Sequence, residues 1–328
     1  MNVSFTNYTE FGIHNTGERY TWVVLYTIFI IVSSLIGDSV ILVASIKYNA
    51  FKLHKAIVAI MQHLAVCDII TSLSLTHFLI SMIAEWNILG SFLCYAKAYI
   101  TYYSFPTSYY LTAALTTTKA LMLKFPFQAS DWTKMRAHLV CGGIWIFSLS
   151  TPLLMFIIDK DDVIFDYQKY TCSYSFSSDP AWKFWLTIIV MLPTIIVIVT
   201  TAWLIIQAKK VVKRNRDSLR WQGLTTVILT AVVYCVSVLP ITVYYSAGDY
   251  VKDLKFHLYC YRFSSAVVCM NVVANFYIYS LTVSSFREFL FSRCALLRKS
   301  VCGGIPERVG EQKVATNTPR GRISDTPV

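Results

Sequence analysis

Seven long apolar runs, near residues 21–46, 57–83, 92–118, 137–158, 184–206, 222–247 and 257–281, constrain this chain more than any other feature. Each has the roughly 20 residues that a helix needs to cross a hydrocarbon core of about 30 Å. Backbone amides find no water in lipid, so runs of this length close their hydrogen bonds as helices rather than as strands of a barrel. The expected fold is an all-α membrane protein, a seven-transmembrane helix bundle.

Composition closes off the soluble alternative. Of 328 residues, 55% are hydrophobic and only 14% charged, too little polar surface to cover a globule of this size. Loops are short apart from 159–183 and the stretch after 283, which leaves no room for a second folded domain. The chain therefore divides into an N-terminal tail, 1–20, a seven-helix domain, 21–283, and two C-terminal segments. The first, 284–299, contains SFREFLFSRCALLRK, whose Phe286, Phe289, Phe291 and Leu296 stand among basic residues, as in a short amphipathic helix lying on the inner leaflet. The second, 300–328, is rich in Gly, Pro, Thr and Arg and has the composition of a disordered cytoplasmic tail. No internal repeat of the kind many transporters carry relates the early spans to the later ones.

Charge sets the orientation. Residues 1–20 are polar, lack the order of a signal peptide, and carry two glycosylation sequons, at Asn2 and Asn7. With that end outside, 21 of the 29 Lys and Arg fall on the cytoplasmic side and 8 outside, in keeping with the positive-inside rule. The formal net charge of +11 then reads as charge facing the inner lipid surface, and nucleic acid is not an expected partner. The expected location is the plasma membrane, as a multi-pass protein with an extracellular N-terminus.

Of nine cysteines, Cys67, Cys141, Cys235 and Cys269 lie inside spans, where a thiol packs as a small apolar group. Cys94 opens the third span and Cys172 sits in the longest outer loop, in an oxidising setting where a bridge would pin that loop over the bundle. Cys260 is an outer cysteine with no evident partner. Cys294 and Cys302 stand where acyl chains reach the bilayer, so each is either palmitoylated or an unmodified thiol.

These features come with a set of ordered marks: Gly37-Asp38 in the first span, LAVCD ending at Asp68 in the second, and Trp86 eight residues before Cys94. The fourth span has Trp145 and Pro152, the fifth Pro193, the sixth Pro240, and the seventh NFYIY, Asn275 to Tyr279. Taken together and in this order, they resemble a rhodopsin-like (class A) G-protein-coupled receptor over about residues 20–298. The resemblance implies an extracellular ligand, a heterotrimeric G protein on the cytoplasmic face, and membrane lipid as partners.

It also assigns roles. The family's Asp-Arg-Tyr triplet falls here on Thr118, Lys119 and Ala120, so Lys119 holds the place of the arginine that meets the G protein, and Tyr279 would face the same partner. Lysine keeps the charge without the planar fork of arginine. The acid that restrains this cation in relatives is absent, and Arg220 stands where many of them have another acid, which predicts raised basal activity. Ser237-Val238-Leu239-Pro240 lacks the usual tryptophan, Phe276 replaces a proline, and Thr201 replaces a tyrosine. An alternative follows: a seven-helix ligand-binding receptor with weak or no coupling, in which Lys119 is an interfacial anchor reaching for the headgroups.

Two carboxylates lie inside the membrane, where charged groups default to function. Asp68 matches the acid that in the family holds sodium, with Ser108, Asn271 and Asn275 matching its companions, and oxygen donors suit a hard cation. Asp38 replaces an asparagine beside it, and two such carboxylates do not both stay charged without a cation or partner. Either sodium is held more firmly or one acid keeps its proton. Apart from this ion no cofactor is expected.

The outer half of the third span, with Thr101, Tyr102 and Phe105, and the end of the sixth, with Tyr244 and Tyr245, predict an aromatic ligand pocket for a peptide or small molecule. Thr101 stands where aminergic relatives have an aspartate, which argues against a monoamine, and no lysine lies between Arg262 and Leu281 to hold retinal. Asp159, Asp161, Asp162 and Asp166 in the outer loop either steer a basic ligand or form a solvated face. No HExxH or GxSxG motif is present, and His14, His54, His63, His77, His138 and His257 show no metal-ligand spacing, so an enzyme is not expected. His63 and His77 are assigned to packing or interfacial roles. A cation channel or transporter using Asp38 and Asp68 is the alternative from another class.

Overall fold

The computed structural model describes residues 17–47, 51, 54–84, 90–125, 132–158, 163–166, 171–174, 180–212, 218–247 and 254–302. Among these are nine helices and one hairpin: α1 (Gly17–Ile46), α2 (Lys55–Ala84), α3 (Gly90–Lys124), α4 (Lys134–Ser148), α5 (Ser150–Ile158), β1 (Val163–Asp166), β2 (Thr171–Tyr174), α6 (Pro180–Val212), α7 (Ser218–Ala247), α8 (Leu254–Thr282) and α9 (Ser284–Cys302). The chain forms two units, Met1–Phe289 and Leu290–Val328, and the packing below belongs to the first.

Six helical stretches are individually long and apolar enough to cross a membrane: Thr21–Ile46, Lys55–Ala84, Lys134–Leu154, Thr187–Gln207, Gly223–Tyr244 and Tyr259–Thr282. The seventh span is α3, and the reason it is less apolar lies in where it sits. It touches α2, α4, α5, α6, α7 and both strands, so protein rather than lipid surrounds much of it. Three of its hydroxyls are satisfied locally, with Thr101, Thr107 and Thr116 each donating to the carbonyl four residues earlier, while those of Ser104, Tyr110 and Thr112 are buried with no partner among the described residues. By contrast α1, α4 and α6 expose large apolar side chains such as Ile36, Ile146 and Val199, the surface that lipid covers. The bundle closes as α1 packs on α2 and α8, and α7 on both α6 and α8.

Several boundaries differ from the sequence reading. The fourth span is not one helix over 137–158 but α4 and α5, separated at Leu149. Pro152 has no N–H for the carbonyl of Ser148 and its ring crowds that carbonyl, so this one rung is lost while Leu149 N–H still reaches Trp145 and Leu153 N–H reaches Leu149, and the two helices follow one another along a single span. Helix α1 begins at Gly17, inside the stretch assigned to the N-terminal tail, and α9 continues to Cys302 rather than ending at 299. The remainder of both tails, with Asn2 and Asn7, lies outside the described residues, as does Trp86.

The outer loop contains strands, which the sequence reading did not anticipate. β1 and β2 pair antiparallel with Phe165 opposite Cys172. Cys172 is joined to Cys94 by a disulfide, with 5.3 Å between the Cα atoms, which ties the hairpin to the first turns of α3. At the other end of the bundle α1 and α8 approach closely. A Cβ on Gly37 would lie 2.8 Å from Cβ and Cγ of Phe276, so the Phe276 side chain occupies space only glycine leaves open.

Candidate functional site

The outer site is a cavity of 210 Å³ walled by α1, α2, α3, α6, α7, α8 and the hairpin. Thr101, Tyr102 and Phe105 line it, as do Lys97, Pro106 and Tyr109, so α3 contributes six residues of one outer segment. Tyr244 does not line it: its ring packs 5.5 Å from that of Tyr261, and Tyr261 faces the cavity instead. The Tyr245 side chain is outside the described residues.

Among the cavity residues not expected from the sequence are both of its basic side chains, Lys97 and Arg262. Lys97 lies three residues after Cys94, one turn deeper on the same face, and this spacing is the signal that would have placed it behind the bridged loop. Its Nζ donates to Thr171 Oγ1 and, at 3.3 Å, to the carbonyl of Cys172. No carboxylate is among the described lining residues, so the wall carries two basic side chains among aromatic, aliphatic and a few hydroxyl groups.

Beneath the cavity lies the polar core. Asp68 is fully buried, its Oδ1 accepting from Ser108 Oγ at 3.0 Å and its Oδ2 from Asn275 Nδ2 at 2.9 Å. Asp38 is 1% exposed and its Oδ2 accepts from Ser34 Oγ at 2.7 Å, while its Oδ1 has no partner among the described residues. Ser72 connects the two sides, its single hydroxyl proton shared between Ser34 Oγ at 2.6 Å and the Asp68 carbonyl at 2.9 Å. Asn271 is buried one turn before Asn275. This set offers carboxylate, hydroxyl and amide oxygens, with one carboxylate oxygen left over.

The inner site centres on Lys119. Thr118 and Ala120 are buried beside it, and Lys119 itself is only 8% exposed. Its Nζ has no hydrogen-bond partner among the described residues and stands 4.8 Å from the centre of the Tyr279 ring. This burial corrects the anchor alternative, because a snorkelling lysine would place its ammonium at the headgroups. It also corrects the expectation that Tyr279 faces a partner directly, since Tyr279 is 1% exposed. The hydroxyls of Tyr279 and Thr201 are likewise buried and unpartnered among the described residues. The Arg220 side chain lies outside the described residues, and so do those of Cys294 and Cys302.

The chain belongs to the rhodopsin family of seven-transmembrane receptors. The model of that family, 7 transmembrane receptor (rhodopsin family), matches residues 37–279, which contain the polar core and Lys119 and end at Tyr279. Similar proteins include cysteinyl leukotriene receptor 1 of Mus musculus, 26% identical over 245 residues that make up 69% of this chain and 66% of that one. Cysteinyl leukotriene receptor 1 of Homo sapiens is 28% identical over 158 residues, 45% of each chain. The chain thus spans less than two thirds of the length of the curated relatives it matches. The family and these relatives are receptors rather than enzymes, and the chain is a multi-pass membrane protein.

Within that family the chain has one further polar joint. Trp145 Nε1 donates to His63 Nδ1 at 3.2 Å, so His63 carries its proton on Nε2 and offers it to His138 Nδ1 at 2.9 Å. His63 is therefore part of a three-residue tie between α2 and α4, more specific than the packing role expected. His77 is buried, with Nδ1 facing Ser81 Oγ at 3.4 Å.

Proposed function

We propose that this receptor sits in the plasma membrane with its N-terminus outside, binds an extracellular ligand in the cavity under the β1–β2 hairpin, and activates a heterotrimeric G protein through the inner end of α3. The ligand is a small molecule with an acidic group on an apolar body. The observation that carries this is the charge of the wall: two basic side chains, Lys97 and Arg262, line it, and none of its described lining residues is an aspartate or glutamate. A carboxylate or phosphate gains charge-assisted hydrogen bonds there, about twice as strong as neutral ones, while the rings of Tyr102 and Phe105 take up apolar surface. A basic peptide or amine steered by the outer aspartates fits this wall poorly. The names of the two relatives make a cysteinyl leukotriene the first compound to try.

The proposed route of activation runs along α3. The same helix lines the cavity at Lys97 and carries Lys119 at its inner end, so a ligand that shifts α3 against α6 and α8 moves both. Lys119 leaves the Tyr279 ring and meets the G protein. Sodium is the proposed resident ion, held by Asp68 and Asp38 with Ser108, the free Oδ1 of Asp38 supplying the additional oxygen that a hard cation seeks. Glycans on Asn2 and Asn7 and acyl chains on Cys294 or Cys302 complete the proposed surface chemistry.

The test is nucleotide exchange on G protein in membranes from cells expressing the full chain. A cysteinyl leukotriene, a long-chain fatty acid and a monoamine are added in turn. Exchange stimulated by an acidic compound in wild type and lost in Lys97→Gln supports the reading. Stimulation by the amine alone would remove the acidic ligand from it.

A further inference from the structure

In a receptor of this family the inner cation needs a resting place, and here the residues flanking it, Thr118 and Ala120, carry no charge. What stands under the ammonium is the face of Tyr279, 4.8 Å away, in a site almost closed to solvent. A ring face attracts a cation through its quadrupole, by about 0.5–1 kcal/mol at the surface and 2 or more when water is excluded.

The ring is itself held from behind. Phe51, in the loop between α1 and α2, meets Tyr279 edge to face, with centroids 5.9 Å apart at 82°. Phe51 also stacks on Phe286 of α9, at 4.6 Å and 13°. Both phenylalanines are buried, and Ser285 Oγ fixes the loop by donating to the Phe51 carbonyl at 2.9 Å. Phe51 thus stands between the surface helix and the tyrosine, and limits how far the Tyr279 ring can turn from Lys119.

We propose that the Tyr279 ring, backed by Phe51, seats the Lys119 cation in the resting receptor in place of the missing acid, which makes Phe51 a positioning residue for coupling. The reading rests on Lys119 being the coupling cation. It revises the expectation of an unrestrained cation with high basal activity: the restraint is present, made of rings rather than a carboxylate.

Two measurements test it on the full-length receptor. The first is a double-mutant cycle read as the midpoint of thermal unfolding in detergent, with Lys119→Met and Tyr279→Leu singly and together. Phe51→Ala is then placed in the wild-type and Lys119→Met backgrounds. A seat predicts coupled losses, each second substitution costing less than it does alone, and Tyr279→Phe preserving the coupling because the ring remains. Additive losses overturn the proposal whether or not any G protein is engaged. The second is basal nucleotide exchange at equal surface expression with G proteins of each class. Phe51→Ala is expected to raise it about 2- to 30-fold, the range a cation–π contact spans, and Phe51→Tyr to bring it back. A residue that merely supports the fold would lower exchange when removed, and a fall in Phe51→Ala would count against the positioning role. Coupled losses with no exchange in any variant would keep the seat and remove the coupling reading of Lys119.

Discussion

Lys97 and Lys119 lie on one helix, 22 residues and about 33 Å of helical rise apart, and they solve the same problem in opposite ways. Each places an ammonium inside a mostly apolar setting, where an uncompensated charge costs several kcal/mol. Lys97 is compensated by oxygens, Thr171 Oγ1 and the Cys172 carbonyl, on a hairpin held in place by a disulfide. Lys119 has no oxygen partner among the described residues, only the face of Tyr279. Oxygen bonds are directional and remain in place when a ligand's acid approaches the third N–H. A ring face is a shallow, weakly directional well that a cation leaves easily. The outer lysine is therefore built to receive, and the inner one to depart.

The contrast can be broken most completely at the inner end. Lys119→Ala is expected to abolish G-protein activation at unchanged surface expression, while Lys119→Arg retains it, as nucleotide exchange in membranes would report. Retained activation in the alanine variant would make the inner lysine a bystander. Next in size, Cys172→Ala frees the hairpin that carries both partners of Lys97. Loss of a disulfide costs about 2–4 kcal/mol, seen as a lower unfolding midpoint together with weaker ligand binding.

Smaller and more selective is Lys97→Gln, which keeps a donor and loses the charge. Binding of an acidic ligand should weaken about 10- to 100-fold, since hydrogen bonds to charged groups contribute about 1.5–3 kcal/mol. Equal binding of the methyl ester and the free acid to wild type would show that charge is not what this lysine reads. Smallest on ligand binding is Asp38→Asn, which removes one of two carboxylates from the polar core. Sodium should modulate ligand affinity in wild type, and in the variant the concentration needed should rise; a sodium-insensitive wild type would remove the ion from the account.

Much of the bundle was legible because lipid imposes a local rule. Seven apolar runs each had to be helical, while the grouping of Asp68 with Ser108 and Asn275 came from the resemblance to the receptor family and not from any local pattern. The break at Leu149 was also within reach, since Pro152 stood inside an apolar run. The interior partners of α3 were harder to see. Phe51 is a single aromatic in a loop, and nothing local says that it backs Tyr279, more than 220 positions away. His138 reads as an ordinary residue near a helix start until α2 brings His63 to it. The hairpin escaped because IIDKDDVIFDYQKYTCSY has too little alternation to read as strands, its pairing being imposed by attachment to α3. Tertiary contacts between distant positions leave no periodicity in a sequence.

Gly37 and Phe276 carry a consequence for how this sequence can drift. With 2.8 Å between the ring atoms and any Cβ at position 37, neither residue changes freely on its own. A methyl group at 37 needs a smaller neighbour at 276, and a lineage that regained proline there would be released to vary at 37. The two positions form one heritable unit split across opposite ends of the gene, and substitutions at one should be found paired with substitutions at the other.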